Sequence, residues 1–359
     1  MEPLRQRAAK TETHRAHDGP SAGNRGSDGK QGLRPLRRGE PSLRISAVKR
    51  VLRHLGRIPI LTSLLVYAGV LVRKDWPPDA RLSPHGSVHP SQGAWWVSPS
   101  LTRAERIMLV VAHPDDECLF FSPTLLNLLA PRFVTRPDST APIKLESPRG
   151  HILSLSSGNA EGLGIKRTRE MKASCEAFGI PSTACIVLDH PGLPDSMSVW
   201  WPEATIAECV KRYVELWDID AIITFDHHGV SGHANHRAIA TTLSQLAHAD
   251  PQFPITFMLR STWILEKYAS LLSLPYSLYR HRRHQGGAKR AAMRSMAASS
   301  SEDEAGSGSA IFVSTPAQYY AGRRAFSQHV SQNVWFRWLW LASSRFMWIN
   351  ELTTAAVPL

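Results

Sequence analysis

Residues 107–117 read IMLVVAHPDDE, and this stretch decides the fold. Its first six residues are an uninterrupted apolar run, typical of a short strand that is buried on both faces. Comparable runs follow at 152–157, 184–188, 219–225 and 255–259. Helical patterns separate them at 123–129, 167–178, 203–217 and 237–246. This alternation predicts an α/β fold, with a parallel sheet and helices on both of its faces.

A cluster of one imidazole and three carboxyl groups directly follows the first predicted strand. It comprises His113, Asp115, Asp116 and Glu117. In open α/β sheets, ligands bind beyond the carboxyl ends of the strands. His113 and Asp116 are ligand types that zinc accepts, which leaves Asp115 free for proton transfer. The alternative is an acidic helix N-terminus favoured by the helix dipole, and HPDDE alone leaves both interpretations open.

A second cluster follows the fourth predicted strand. Residues 225–236 read FDHHGVSGHANH and hold four of the sixteen histidines. His233 and His236 are three residues apart, so on a helix they share one face. If the first and fourth strands are neighbours in the sheet, this face meets the HPDDE cluster.

Together the two clusters contain the parts of a catalytic zinc site. His113, Asp116 and His236 supply three protein ligands and leave an open position. Asp115 takes a proton from water and later returns it to a departing amine. His233, when protonated, stabilises the oxyanion that forms at an amide carbonyl. The residues therefore predict an amide hydrolase that uses Zn²⁺, with another divalent metal as the alternative cofactor.

The basic character of the chain is concentrated at its beginning. The net charge is +12, and residues 1–57 carry 14 Lys and Arg against 5 Asp and Glu. This stretch has few large apolar residues, which predicts a disordered basic tail because little surface can be buried to offset the ordering entropy. The remaining +3 is an ordinary balance, and no basic run interleaved with aromatic residues lies near the clusters. We therefore expect no nucleic-acid partner.

Four cysteines, Cys118, Cys175, Cys185 and Cys209, are present without a CxxC pair. Their apolar or helical surroundings predict buried free thiols in a reducing compartment.

An apolar segment precedes the predicted α/β domain. Residues 58–72 (IPILTSLLVYAGVLV) carry no charge and have basic neighbours on both sides. As a helix they would span about 22 Å, short of the ~30 Å hydrocarbon core. They are a membrane-anchor candidate, with a buried helix of the globular domain as the alternative. Residues 73–103 are a predicted linker.

The predicted domain covers residues 104–352. Disordered insertions are expected near 135–149 and 280–309 because their composition is polar and rich in small residues. Towards the end of the domain, four tryptophans lie among arginines, at Trp335, Trp338, Trp340 and Trp348. They predict either a helix at a membrane interface or a helix that packs on the core.

The motifs resemble those of the LmbE-like N-acetylglucosamine deacetylases, most closely the phosphatidylinositol-glycan class L branch. The resemblance rests on AHPDDECLFFSPT (112–124), SGN (157–159), RTRE (167–170) leading to FGIP, GVSGHANH (229–236) and SQNVWFRWLW (331–340). It extends from about residue 107 to residue 352. It implies a Rossmann-like fold, zinc at His113, Asp116 and His236, the base at Asp115 and the oxyanion partner at His233. By motif position it also implies substrate contacts by Asn159, Arg167 and Glu170.

The resemblance further implies a reaction and a location. The reaction is removal of the N-acetyl group from N-acetylglucosaminyl-phosphatidylinositol, the second step of glycosylphosphatidylinositol-anchor synthesis. The implied partners are this glycolipid and the endoplasmic reticulum membrane, with the domain on the cytoplasmic face. The positive-inside rule conflicts with that orientation if residues 58–72 span the bilayer. The alternative function is deacetylation of a soluble N-acetylglucosamine conjugate. His227 and His228 stand where the family commonly has small residues, which leaves an alternative metal ligand open.

Overall fold

An eight-stranded sheet forms the centre of the fold. The computed structural model describes residues 57–71, 87–89, 94–135, 143–283 and 308–355. The strands are β1 (Ser87–His89), β2 (Ala94–Val97), β3 (Arg106–Val111), β4 (Arg132–Thr135), β5 (Ile143–Leu145), β6 (Arg149–Ser154), β7 (Cys185–Val187), β8 (Ala221–Phe225), β9 (Ile255–Leu259), β10 (Ser309–Val313) and β11 (Ile349–Thr354). The order in the large sheet is β2-β10-β11-β9-β8-β3-β6-β7, and β1, β4 and β5 form a separate antiparallel sheet.

The large sheet is parallel from its β7 edge as far as β9. β7, β6, β3, β8 and β9 pair in parallel, with Ile107 of β3 opposite Ala221 of β8. β11, β10 and β2 extend the β9 edge as antiparallel strands. The predicted α/β fold is therefore confirmed, and the antiparallel extension, which the sequence pattern did not predict, makes the sheet mixed.

Helices cover both faces of the parallel strands. They are α1 (57–71), α2 (Pro99–Arg103), α3 (Asp116–Phe120), α4 (Ser122–Leu128), α5 (Gly164–Ala177), α6 (Glu203–Trp217), α7 (Gly229–Gly232), α8 (Ala234–Ala249), α9 (Ile264–Lys267), α10 (274–283), α11 (Pro316–Phe326) and α12 (Arg337–Ser343). Successive side chains of a strand point to opposite faces. Leu109 and Val111 of β3 accordingly join a core with α4, α5 and α11, whereas Met108 and Val110 join a core with α6 and α8. Burial on both faces explains the uninterrupted apolar run.

Part of the predicted linker belongs to the fold. β2 pairs with β10, and α2 buries Leu101 in the main core. The linker prediction is therefore wrong for residues 94–103. β2 pairs with a strand far along the chain, and such a partner leaves no local signal in the sequence.

Both predicted insertions contain secondary structure. β5 and the first residue of β6 lie within 135–149, and α10 covers 280–283 with Arg280 buried. The insertion predictions are wrong at these positions and at Ser309, where β10 begins. Residues 136–142 and 284–307 lie outside the described residues.

α1 packs on the domain by one face. Tyr67 and Val70 are buried in an apolar cluster with Leu278 and Ile311, and the Tyr67 hydroxyl donates to the Ser314 carbonyl at 2.8 Å. The opposite face exposes aliphatic side chains at Ile58, Ile60, Leu61, Leu64 and Leu65. Within the described ranges, no helix combines the length and the apolar character needed to cross a membrane. Residues 1–56, which hold most of the predicted basic tail, lie outside those ranges.

The prediction of four free thiols is wrong for one pair. Cys175 of α5 and Cys185, the first residue of β7, form a disulfide, whereas Cys118 and Cys209 are free. The two bonded cysteines are ten residues apart, and the packing of α5 against β7 brings them together.

Candidate metal centre and active site

The carboxyl ends of β3 and β8 lie side by side and bring the two sequence clusters together. The potential ligand atoms of His113, Asp116 and His236 all lie within 4.8 Å of one another, and all three residues are buried. Asp116 Oδ2 is 3.8 Å from His113 Nδ1 and 3.4 Å from His236 Nε2. The structure therefore brings together the three side chains that the sequence nominated as metal ligands.

Two observations show that these side chains fit a metal ion. Among the described residues, the buried Nε2 of His236 has no hydrogen-bond partner, although it faces Asp116. Burial would raise the pKa of Asp116, but the charge of His236 holds it below the ordinary value, so the carboxyl group is anionic. One anionic oxygen and two imidazole nitrogens form a ligand set that zinc accepts.

Asp195 contacts the second nitrogen of His113. Its Oδ1 lies 3.1 Å from His113 Nε2, while Nδ1 of the same ring faces Asp116. Burial would lower the pKa of His113, but the hydrogen bond to Asp195 and the charge of Asp116 raise it. A carboxylate on the second nitrogen fixes the tautomer and orientation of a metal-binding histidine. Asp195, His113 and His233 form a second candidate metal-binding group, but Asp195 and His233 are only half-buried.

Asp115 lies beside the metal group with an unusual backbone. Its φ of 106° is in the left-handed region, which non-glycine residues rarely adopt. Its carboxylate lies 3.0 Å from Arg337 Nη2 and 3.9 Å from Arg167 Nη2. Burial raises the pKa of Asp115 to about 6, and Arg337 opposes that rise. A carboxyl group that titrates near neutral pH beside a metal group fits the predicted general base.

Glu117 holds the backbone of Asp115. Glu117 Oε2 accepts a hydrogen bond from the Asp115 N–H at 3.0 Å. Its Oε1 contacts His329 Nε2 and the Ser174 hydroxyl, each at 2.6 Å. Burial would raise the pKa of Glu117, but His329 lowers it, and Glu117 in turn raises the pKa of His329 against the effect of burial. Glu117 and His329 therefore form a buried ion pair directly behind Asp115.

His233 precedes α8 and faces the metal group. Its Nδ1 accepts a hydrogen bond from the Asn235 N–H at 3.3 Å, so a neutral ring carries its proton on Nε2. Burial and the neighbouring His236 lower the pKa of His233 to about 4. His233 is therefore neutral near neutral pH, and the protonated form on which the sequence-based role was conditional is not the one favoured there. A neutral ring still donates from Nε2, and the part of His233 as oxyanion partner stays a prediction.

His227 and His228 belong to none of the candidate metal groups in the described part of the chain. Their backbones support the loop before α8. The His227 carbonyl accepts from Arg237 Nε, and the His228 N–H donates to Asp226. The geometry gives no support to either histidine as a replacement ligand.

Among the three expected substrate contacts, Arg167 lies in the site. Its guanidinium donates to the carbonyls of Gly158 and Pro114 and lies 3.4 Å from Asp195. Gly158 has a φ of +68°, and a Cβ there would overlap the guanidinium. The SGN turn therefore needs glycine at this position to admit Arg167.

Asn159 and Glu170 bond to neighbouring backbone. Asn159 Oδ1 accepts from the Gly164 N–H at the start of α5. The Glu170 carboxylate accepts from both the N–H and the hydroxyl of Ser331, which ties α5 to the segment before α12. Substrate contact by Asn159 or Glu170 stays a prediction.

Sequence analysis missed Asp195, His329 and Arg337. Asp195 follows the third predicted strand in a loop at the carboxyl edge of the sheet, and that position could have marked it. His329 is 212 residues from Glu117 and Arg337 is 222 residues from Asp115, so no local pattern links them.

Comparison with known proteins shows the family of the chain. Residues 108–247 match a family model described as PIG-L: GlcNAc-PI de-N-acetylase. The N-acetylglucosaminyl-phosphatidylinositol de-N-acetylase of Bos taurus is 33% identical over 250 residues, which cover 69% of this chain and 82% of the relative. The chain belongs to the PIG-L family.

The PIG-L relatives of the chain are named as de-N-acetylases. The probable N-acetylglucosaminyl-phosphatidylinositol de-N-acetylase of Schizosaccharomyces pombe is 31% identical over 259 residues, covering 70% of this chain and 87% of the relative. The crystal structure of the A40926 pseudoaglycone deacetylase Dbv21 aligns with a TM-score of 0.41 at 12% identity, over 71% of this chain and 99% of that one.

Proposed function

We propose that this chain uses a zinc ion to hydrolyse the N-acetyl group of N-acetylglucosaminyl-phosphatidylinositol, giving glucosaminyl-phosphatidylinositol and acetate. The observation that carries the proposal is the convergence of His113, Asp116 and His236 beside Asp115 at the carboxyl edge of the sheet. Membership of the PIG-L family supports the substrate, since the relatives in cattle and fission yeast carry that activity in their names. The reaction would be the second step of glycosylphosphatidylinositol-anchor synthesis.

Asp115 moves the proton in this mechanism. Amide hydrolysis needs a base that takes a proton from water and an acid that gives one to the departing amine. Asp115 performs both steps in turn, accepting the water proton on its carboxylate and donating it to the glucosamine nitrogen. A zinc ion held by His113, Asp116 and His236 would act as a Lewis acid and lower the pKa of a bound water to about 7.

His233 and Asp195 prepare the site for charge that develops during the reaction. The Nε2–H of His233 donates to the acetamide oxygen as that oxygen gains negative charge. Asp195 keeps His113 oriented towards Asp116 through its bond to the other ring nitrogen. Because these groups are positioned before the substrate arrives, little reorganisation opposes the reaction.

Exposed apolar side chains near the site support a lipid-linked substrate. They lie in segments that follow β7 and β9 or that lead into α12. They are Met197, Val199 and Trp200; Trp263, Ile264 and Leu265; and Trp335, Phe336 and Trp338. Tryptophan beside basic side chains suits the interface between bilayer and water. We infer that these segments, the apolar rim, face the leaflet that holds the acyl chains of the substrate.

The Trp-rich tail divides between the two expected roles. Trp335 and Trp338 are 78% and 59% exposed. Trp340, in contrast, packs edge-on against Phe120, with ring centroids 5.5 Å apart. These exposures support membrane contact by Trp335 and Trp338 in our proposal, whereas Trp340 packs on the core.

We propose the endoplasmic reticulum membrane as the location, with the site on the cytoplasmic face, as the family resemblance implies. The exposed aliphatic face of α1 supports a membrane location. Free thiols throughout would have supported a reducing compartment such as the cytoplasm. Because Cys175 and Cys185 form a disulfide, the cysteines give no such support.

The test is acetate release by the purified full-length chain from N-acetylglucosaminyl-phosphatidylinositol in detergent micelles. We expect turnover that a chelator abolishes and added zinc restores. Acetate release from a soluble N-acetylglucosamine conjugate, with none from the glycolipid, would refute the proposal in favour of the soluble alternative.

A further inference from the structure

Arg337 joins the apolar rim to the catalytic carboxylate. It is the first residue of α12, and its exposed neighbours Trp335, Phe336 and Trp338 belong to the rim. Its side chain reaches inward, where Nη2 donates to Asp115 Oδ2 at 3.0 Å. The side chain is nevertheless 25% exposed, so part of it is accessible from solvent.

Arg337 has unused hydrogen-bonding capacity. Its buried Nε has no partner among the described residues, and Asp115 is the acceptor that its guanidinium contacts there. Arg167, the other guanidinium beside Asp115, also has a buried Nε without a partner among the described residues, but its two Nη atoms donate to the carbonyls of Gly158 and Pro114 and its side chain is only 10% exposed. Arg167 is therefore a fixed part of the site, whereas Arg337 has donors to offer a ligand.

The chemistry of a guanidinium selects an anion with paired oxygens. Its fork of N–H donors matches phosphate oxygens, and such charge-assisted bonds are stronger than neutral ones. Asp115 already provides one carboxylate to Arg337, so an incoming anion would compete with Asp115 for the same donors.

The position of Arg337 also matches the layout of the proposed substrate. In a sugar linked through inositol phosphate to a lipid, the phosphodiester lies between the sugar and the acyl chains. Arg337 lies between Asp115, where the acetamide must react, and the exposed Trp335 and Trp338, which we assign to the leaflet. The phosphodiester thus lies between sugar and acyl chains in the substrate, as Arg337 lies between Asp115 and the exposed tryptophans in the protein.

We propose that Arg337 binds the phosphodiester of the lipid substrate and, in doing so, releases Asp115 for proton transfer. This inference rests on the proposed function. In the structure, Arg337 donates to the Asp115 carboxylate. When the phosphodiester enters, the guanidinium exchanges the carboxylate for phosphate oxygens, so Asp115 is free for proton transfer more of the time with a phosphodiester substrate than with a phosphate-free one.

The test compares three substrates that share the same sugar. The first is N-acetylglucosaminyl-inositol without phosphate, the second is the deacylated glycerophosphate diester, and the third is the intact glycolipid in detergent micelles. Arg337→Ala should lose about 10- to 100-fold more kcat/KM on the two phosphodiesters than on the phosphate-free substrate, which is the range for a lost charge-assisted bond. Arg337→Lys, which keeps the charge without the fork, should lie between Arg337→Ala and the wild type.

A matched control and an inhibition assay complete the design. Arg103→Ala removes one exposed arginine just before the amino end of β3, the edge opposite the site, and should leave the ratio between substrates unchanged. Glycerophosphoinositol should inhibit hydrolysis of the phosphate-free substrate by the wild type, and at least 10-fold more weakly in Arg337→Ala.

Each contrary result is distinct. Equal losses on all three substrates would mean that Arg337 only positions Asp115 and would overturn the inference. A loss confined to the intact glycolipid would assign Arg337 to headgroups of the surrounding leaflet and would also overturn it. Failure of the wild type on every substrate would instead defeat the proposed function, and this inference with it.

Discussion

The buried pair of Glu117 and His329 gives the sharpest test of how the carboxylate of Asp115, the proposed base, is held. In His329→Gln, the Glu117 carboxylate stays fully buried but loses its cationic partner. Removing one member of a buried pair typically lowers the free energy of unfolding by about 3–5 kcal/mol. We therefore expect a loss of that order for His329→Gln and a comparable loss for Glu117→Gln.

The same change should also lower turnover. A non-glycine residue in the left-handed region costs of order 1–3 kcal/mol and persists only when its surroundings hold it. The bond from the Asp115 N–H to Glu117 holds Asp115 at a φ of 106°. If that bond weakens, Asp115 relaxes, and we expect kcat to fall roughly 10- to 100-fold. Metal content and KM should be nearly unchanged, because neither Glu117 nor His329 belongs to the proposed ligand set.

Urea unfolding of both single variants and the double variant measures the stability effect. The double variant removes both charges and leaves no lone buried ion. We therefore expect its loss in unfolding free energy to be smaller than the sum of the two single losses by at least about 2 kcal/mol. Glu176→Gln on the exposed side of α5 is the control and should change stability by no more than about 0.5 kcal/mol. Additive losses, or single losses below about 1 kcal/mol, would refute the reasoning.

The pH dependence of the pair has a defined sign. The pKa of Glu117 lies below its ordinary 4.5 in the folded protein, so its contribution is complete above pH 4.5 and is lost as the pH falls through the lowered value. The pKa of His329 lies above its ordinary 6.5, so its contribution is complete below pH 6.5 and is lost as the pH rises through the raised value. The stability difference between wild type and the double variant should therefore be largest between pH 4.5 and 6.5.

Three further predictions concern the metal, the base and the membrane. His236→Ala should lose the bound metal while His227→Ala keeps it, and elemental analysis showing the reverse would make His227 the ligand. Asp115→Asn should keep the metal and lose roughly 10²–10⁴-fold in kcat, because an amide cannot accept the water proton, and a near-normal rate in metal-replete protein would exclude Asp115 as the base. Trp335→Glu with Trp338→Glu should abolish flotation of a chain starting near residue 94 with liposomes, and unchanged flotation with an intact circular dichroism spectrum would remove these side chains from the membrane contact.

The parallel core could be predicted because its signals are local. The apolar run before HPDDE is buried on both faces of the sheet, and such burial forces nearly every side chain of the strand to be apolar. The antiparallel strands β2, β10 and β11 could not be predicted in the same way. Each pairs with a strand far away in the chain, and the segment around β2 reads as a linker.

The candidate site likewise has features that the local sequence predicts and features that depend on tertiary packing. By itself, the sequence determined the parallel α/β core, the residue types of the candidate metal ligands and their position at the carboxyl ends of two strands, because residue type and strand order are local properties. Only the tertiary structure decided that His329 pairs with Glu117, that Arg337 covers Asp115 and that Asp195 orients His113. These contacts join residues brought together by packing of separate elements, and their energy depends on burial, which a linear sequence does not display.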